Sequence, residues 1–146
     1  MQVIYNVFDQ GPEDELLPLC QKRGVGVIVR VPFDEGGLTG RITPNTEFEE
    51  ADFRNDYFRG ERKREVYERV QGIAQGLGVE EDEIPEIALR YILSHPAVST
   101  AIPGMRSVRN VERNMAVADG KGLPTEQVQK LKEHRWVRNF YPGFRE

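Results

Sequence analysis

An α/β fold with parallel strands is what the 146 residues of this chain predict. Two strand-like runs, QVIYNVF at residues 2–8 and VGVIVRVP at 25–32, flank one helical stretch. Strand, helix, strand is a βαβ unit, which makes a parallel pair with a right-handed crossover. The second run is almost continuously apolar, as expected of a strand covered on both faces. A third strand-like run, AVSTAI at 97–102, follows two further helical stretches.

Each element has a local reason. The first run is rich in β-branched and aromatic residues and is punctuated by Gly11-Pro12. A helix over residues 12–23 starts with Pro12 and the acidic Glu13, Asp14 and Glu15, which suit the positive helix end. Leu16, Leu17, Leu19 and Cys20 form its apolar face, and Pro18 argues against an unbroken helix. Residues 33–60 have no clear period, and a loop of that length is usually functional or poorly ordered. Helices follow at 61–77, with Val66, Val70, Ile73, Ala74 and Leu77 inward and Gly78 as cap, and at 84–95, stopped by Pro96. After Pro103-Gly104 a helix at 107–119 turns Val108, Val111, Met115 and Ala118 inward. The last helix covers 125–135 with Thr125 as cap, and the tail aromatics Trp136, Phe140, Tyr141 and Phe144 pack it down.

Composition sets the class. The hydrophobic fraction is 38% and the charged fraction 30%, which suits one soluble globular domain over residues 1–146. A net charge of −4 offers no attraction to nucleic acid. No apolar run approaches the roughly 20 residues of a membrane helix, and the opening MQVIYNVFDQ does not read as a signal peptide. With Cys20 as the single cysteine, neither an internal disulfide nor a multi-cysteine metal site forms. A cytoplasmic location is the expectation.

Two segments carry chemistry. In AIPGMRSVRNVERN, residues 101–114, a strand ends, a Pro-Gly turn follows and a helix begins at once. The free N–H groups and positive dipole of such a start favour phosphate, and Arg106, Arg109 and Arg113 add guanidinium groups, with Ser107 as N-cap. The other reading is a surface turn with solvated arginines. In RVPFDEGGLTGR, residues 30–41, three glycines follow the C-terminal end of a strand, where ligands of parallel α/β proteins lie. An ordinary turn-rich loop would look the same. Asp34 and Glu35 in it either line a substrate mouth or face water, and water is favoured. Tyr5, His95 and His134 read as structural: a packed strand residue, a helix-end cation before Pro96, and a near-surface helix residue. Cys20 reads as a small core residue.

Together QVIYNVFDQ, GVIVRVPFDEGGLTGR, ALRYILSHP, VSTAIPGMRSVRNVERN and HRWVRNFY resemble the aldo-keto reductases, in order and spacing and over nearly the whole chain. The branch they are most similar to is the bacterial one related to the potassium-channel β-subunits. The resemblance is to the C-terminal part alone. It implies strands six to eight of a (β/α)8 TIM barrel with their helices, not a closed barrel. It implies NADP(H) extended over the strand ends. By that resemblance Gln2 matches the glutamine contacting the nicotinamide carboxamide, and Arg30 takes the place of a stacking aromatic ring. Val31, Pro32 and Phe33 line the pyrophosphate path and Arg41 is a basic phosphate contact. Gly104, Arg106, Asn110, Arg113 and Asn114 surround the adenosine 2′-phosphate and adenine.

Two departures stand out. Arg30 replaces ring stacking by guanidinium stacking or loses it, and Arg113 occupies a usually acidic position, favouring the extra phosphate of NADP. The family's catalytic Asp, Tyr, Lys and His belong to the N-terminal part, so the resemblance assigns no residue here a catalytic role. A partial barrel exposes sheet edges and an apolar inner face, so a homo-oligomer or a complementary N-terminal barrel chain is expected as partner. Two functions remain open: the cofactor-binding portion of a reductase, or a non-enzymatic oligomeric binding or structural module derived from one.

Overall fold

The computed structural model describes residues 1–141. Three short strands, β1 (Gln2–Ile4), β2 (Val27–Arg30) and β3 (Val98–Ala101), form one sheet in the order β1-β2-β3. Both pairings are parallel. Ile4 lies opposite Arg30 and Val29 opposite Ala101, with an irregularity at Val27/Ile28. Among the described residues six α-helices accompany them: α1 (Leu16–Lys22), α2 (Arg54–Tyr57), α3 (Arg62–Leu77), α4 (Ile84–Leu93), α5 (Val108–Ala116) and α6 (Thr125–Lys132). The expected βαβ connectivity is present, because β1, α1 and β2 follow one another and β1 pairs parallel with β2.

The strands are shorter than the sequence suggests. The backbone leaves the sheet after Ile4, and Asn6 closes a turn in which its side-chain oxygen accepts from the N–H groups of Phe8 and Asp9 at 2.9 Å. Tyr5, Val7 and Phe8 are therefore core residues of a loop rather than of a strand. β2 alternates buried Val27 and Val29 with exposed Ile28 and Arg30. One face only is covered among the described residues, which corrects the expectation drawn from its continuous apolar run.

Helix α1 starts at Leu16, after a separate 3-10 turn at Gly11–Glu13. Pro18 falls within its first turn, where a missing N–H does no harm. Leu17 and Cys20 are buried, whereas Leu19 is exposed. Helices α3 and α4 follow the apolar pattern closely. Val66, Val70, Ile73 and Ala74 are buried on α3, Ile84, Ile87, Ala88, Tyr91 and Ile92 on α4. Gly78 ends α3 in the left-handed conformation. α4 packs on β3, and α3 packs on α6. Pro124, not Thr125, occupies the cap position of α6 and gives no side-chain cap.

Two regions differ more. The stretch 33–60 is built into the core: Leu38, Ile42, Tyr57 and Phe58 are buried, and a 3-10 segment at Asp34–Thr39 packs on α3 and α4. Its order comes from partners far along the chain, which no local pattern announces. Helix α5 has a strong apolar stripe, yet Val108 is 75% exposed and Met115 58%. The expected inward face is thus largely exposed among the described residues. Of the tail aromatics, Trp136 packs edge-on against Phe8 and Phe140 against Tyr57, with centroids 5.7 and 5.4 Å apart; Phe144 lies outside the described residues. Among the described residues no helix is long and apolar enough to cross a membrane, and no cluster of metal ligands occurs.

Candidate functional site

A groove of about 870 Å³ opens beyond the C-terminal ends of β2 and β3. That is the size of a pocket for a substantial small molecule. The chain after β2 supplies Val31, Pro32, Phe33 and Arg41, and the chain after β3 supplies Gly104, Arg106, Arg109, Asn110, Arg113 and Asn114. The two segments singled out in the sequence therefore meet in space. Gln2 and Arg30 are exposed residues of β1 and β2 and do not line this groove.

The start of α5 leaves several donors without a protein partner among the described residues. Ser107 is extended, at φ −138° and ψ 153°, and its hydroxyl accepts from the Asn110 N–H at 3.2 Å. This is the expected N-cap. The Val108 and Arg109 N–H groups have no protein partner among the described residues. They point along the positive end of a nine-residue helix. Arg41, Arg106 and Arg109 form no ion pair with a carboxylate among the described residues. Arg113 is already engaged, donating to the Asp82 carbonyl at 2.5 Å, and Asn114 donates to the Gly104 carbonyl at 3.2 Å. These two contacts tie α5 to the turn before α4 and close the Pro-Gly connection on itself.

A third wall was not legible in the sequence. Ala51, Asp52, Phe53 and Arg54 line the groove from within the aperiodic stretch. Asp52 takes a two-pronged contact from Arg54, at 3.0 Å from Nε and 2.5 Å from Nη2. The Arg54 side chain and backbone hydrogen bonds hold the Asp52 carboxyl down at about 2. It is thus ionised throughout the neutral range, and it places one negative charge among the cations.

The glycines of residues 36–40 serve the loop itself more than a ligand. Gly40 has φ +69°, and a Cβ there would lie 2.6 Å from the Glu81 carbonyl oxygen. A Cβ on Gly37 would lie 2.8 Å from Asp34 Oδ2. Asp34 is buried, correcting the expectation that it faces water. It accepts from the Tyr57 hydroxyl at 2.7 Å and is ion-paired with Arg138. Glu35 accepts from the Tyr141 hydroxyl at 2.7 Å. Burial pushes the Asp34 carboxyl up against the pull of Arg138. Burial also works against the charge of Arg138, but Asp34 and Asp9 outweigh it and hold the guanidinium above its ordinary value.

Tyr5 and His95 are in structural use. The Tyr5 hydroxyl donates to Glu13 Oε1 at 2.6 Å, as does that of Tyr91, while Lys132 pairs with the other oxygen at 2.8 Å. Burial pushes both phenols up. His95 packs edge-on against Tyr5, with centroids 6.2 Å apart, and its Nδ1 accepts from the Ala97 N–H at 3.2 Å. Its partial burial lowers its pKa, the direction opposite to the one that would favour the expected helix-end cation. Partial burial lowers His134 as well.

Comparison with known proteins gives this arrangement a context. The family model described as "Aldo/keto reductase family" matches residues 1–135. An uncharacterised oxidoreductase, YqkF, of Bacillus subtilis is 27% identical over 89% of this chain and 40% of its own length. An NADH-specific methylglyoxal reductase of Escherichia coli is 29% identical over 80% of this chain and 36% of its own. The chain therefore spans well under half of these relatives. Among solved structures, the aldo-keto reductase AKR11C1 of Bacillus halodurans, holo form, superposes with a TM-score of 0.66 at 26% identity. The match covers 99% of this chain and 43% of that one. The glycerol dehydrogenase AKR11B4 of Gluconobacter oxydans, at 22% identity, shares the fold with a TM-score of 0.72. The three-stranded parallel sheet with its helices is an open part of a TIM barrel.

Proposed function

The chain belongs to the aldo/keto reductase family, and from that premise we propose that it is the NADP(H)-binding C-terminal portion of a carbonyl/alcohol oxidoreductase. One observation carries the reading. The segments after β2 and β3 converge on one groove whose α5 end offers unpaired arginines and free N–H groups. That donor set suits the phosphates of a dinucleotide. In this reading Val31, Pro32 and Phe33 flank the pyrophosphate, Arg41 contacts phosphate, and Arg106 with Arg109 meets the 2′-phosphate. Gln2 and Arg30 face the nicotinamide end. Hydride chemistry belongs to the cofactor when bound. This chain binds and orients it, and the proton-transfer groups come from the remaining barrel strands. Those strands also cover the open sheet edges, whether they belong to the same polypeptide or to a partner.

The test is a calorimetric titration of the chain with NADPH and with NADH, repeated with Arg106→Ala. A charged hydrogen bond is worth about 1.5–3 kcal/mol. The substitution should therefore weaken NADPH binding roughly 10- to 150-fold and leave NADH binding nearly unchanged. Equal loss for both nucleotides would move Arg106 to the pyrophosphate. Unchanged affinity for both would sink the assignment. A second reading, a non-enzymatic oligomeric module, is favoured by the exposed stripe of Val108, Val111 and Met115 on α5. Absence of saturable binding at millimolar nucleotide, together with stable self-association, would support it.

A further inference from the structure

The loop after β2 is held in a conformation it would not choose alone. Val31, Asp34 and Glu35 have φ of 54°, 51° and 56°, and they are the only non-glycine residues with positive φ among those described. For side chains other than glycine, and above all for β-branched Val31, this region is costly and persists only when the surroundings impose it. Here the surroundings are distant in sequence. Asn6 donates to the Val31 carbonyl at 3.0 Å. Tyr57 and Arg138 both donate to Asp34 Oδ1. Arg138 also donates to Asp9 at 3.0 Å, and Tyr141 donates to Glu35. Val31, Phe33, Glu35 and Gly36 of the same loop line the groove, whereas Arg138 does not.

The setting of Arg138 is unusual for stability alone. Its side chain is 6% exposed, and its guanidinium lies 4.6 Å from the Trp136 ring centroid and 4.8 Å from that of Phe140. Asp34 Oδ2 and Arg138 Nε have no hydrogen-bond partner among the described residues. A buried pair left partly unsatisfied is a poor source of stability, since an apolar replacement often does as well. What the pair fixes is geometry. It joins the turn after β1, the loop after β2 and the tail at one point.

We infer that Arg138 is a positioning residue of the nucleotide groove: by bridging Asp9 and Asp34 it holds the loop in which Val31, Asp34 and Glu35 are left-handed, and so shapes the groove wall without touching the ligand. The inference rests on the reading of the groove as a nucleotide site. It also has a consequence that needs no nucleotide. Without Arg138 the loop samples other conformations, and apparent affinity falls with the fraction of chains in the competent one.

The experiment uses the full chain with Arg138→Ala, Arg138→Lys and, as a control for general destabilisation, Val70→Ala in the buried face of α3. Amide hydrogen exchange is followed across the chain, and NADPH binding is followed by energy transfer from Trp136, the single tryptophan. Arg138→Ala should speed exchange of the amides of residues 34–40 about tenfold or more, with α3 and α4 little changed. It should raise the NADPH dissociation constant about tenfold. Arg138→Lys should recover part of both, because one carboxylate stays in reach. Val70→Ala should leave the NADPH affinity at the wild-type value while the chain is folded. Unchanged exchange in residues 34–40 overturns the inference. So does accelerated exchange with unchanged NADPH affinity, or an affinity loss that Val70→Ala reproduces. Accelerated exchange in a wild-type background that never binds NADPH overturns the nucleotide reading instead, and leaves the anchoring of the loop by Arg138 supported.

Discussion

Gly40 offers the sharpest test of how the groove wall is built. Substitution by alanine adds a Cβ 2.6 Å from the Glu81 carbonyl oxygen and 3.2 Å from its carbon. Both are backbone atoms, so no side-chain rotation relieves the contact. The residue also sits at φ +69°, and an L side chain in the left-handed region costs roughly 1–2 kcal/mol. Overpacking at a close contact adds roughly 1–3 kcal/mol. Together Gly40→Ala should cost about 2–5 kcal/mol, a large part of a typical 5–15 kcal/mol stability. For a chain near this length each kcal/mol moves Tm by about 2–4 °C, so Tm should fall by about 4–20 °C. Gly76 supplies the matched comparison. It lies within α3, and a Cβ there meets nothing within 4 Å. Gly76→Ala should therefore stabilise by roughly 0.5–1 kcal/mol. Thermal unfolding followed by circular dichroism reads both. If Gly40→Ala melts with the wild type, the 34–40 loop is not docked on the turn before α4. If both variants fall together, the measurement is reporting a general sensitivity to substitution and the geometric argument fails.

Three further outcomes follow from the same structure. Ser107→Ala should cost about 0.5–2 kcal/mol through loss of the α5 cap, whereas Ser107→Asp should melt like the wild type yet bind NADPH more weakly, because its carboxylate stands where phosphate would; equal binding by the two would place the phosphate elsewhere. Asp119 accepts both Arg90 Nη groups at 2.9 and 3.1 Å, and those bonds hold its carboxyl at about 2, below the ordinary 3.8. Its contribution is thus present above pH 3.8 and is lost as pH falls through about 2, so Asp119→Asn should lower the urea midpoint at pH 6 and differ much less from the wild type at pH 2; a gap undiminished between pH 6 and pH 2 would exclude this linkage. Val108→Ser with Met115→Gln, at exposed positions on α5, should leave Tm nearly unchanged but reduce association in sedimentation velocity, and an unaltered assembly would show that this stripe is not the contact.

The legible and illegible parts of the molecule divide by the range of the forces involved. Helices α3 and α4 were readable because their partners lie at helical spacing and their stops, Gly78 and Pro96, are local. The cap at Ser107 is local too, and so is the turn that brings Arg106 and Arg109 to the start of α5. The parallel pairing was readable from a single βαβ unit. Asp34 was misread because its burial is decided by Arg138, 104 residues away. Asp52 and Arg54 were missed as groove residues because a charged pair two residues apart looks like any solvated turn. Tyr5 reads as a strand residue because nothing in the apolar run announces the Asn6 turn that takes the backbone out of the sheet after Ile4. The stripe on α5 is apolar, as its spacing predicts, yet largely exposed, since periodicity reports a face and not the presence of a neighbour.

The seam between the turn after β1 and the tail has a bearing on how the molecule comes into being. Gln10 donates to the Leu131 carbonyl at 3.0 Å, Trp136 N–H to the Phe8 carbonyl at 2.9 Å, and Arg135 to Asp14 at 2.7 Å. These links bridge 121 residues or more. A growing chain therefore carries Phe8 and Gln10 without these neighbours until Leu131 and Trp136 have been made. The added entropy of closing so long a span is modest, because it rises only with the logarithm of length. The cost is in time: contacts of long range form late and leave apolar surface open meanwhile. Until Trp136 arrives to pack on Phe8, that apolar surface stays open to association with other chains.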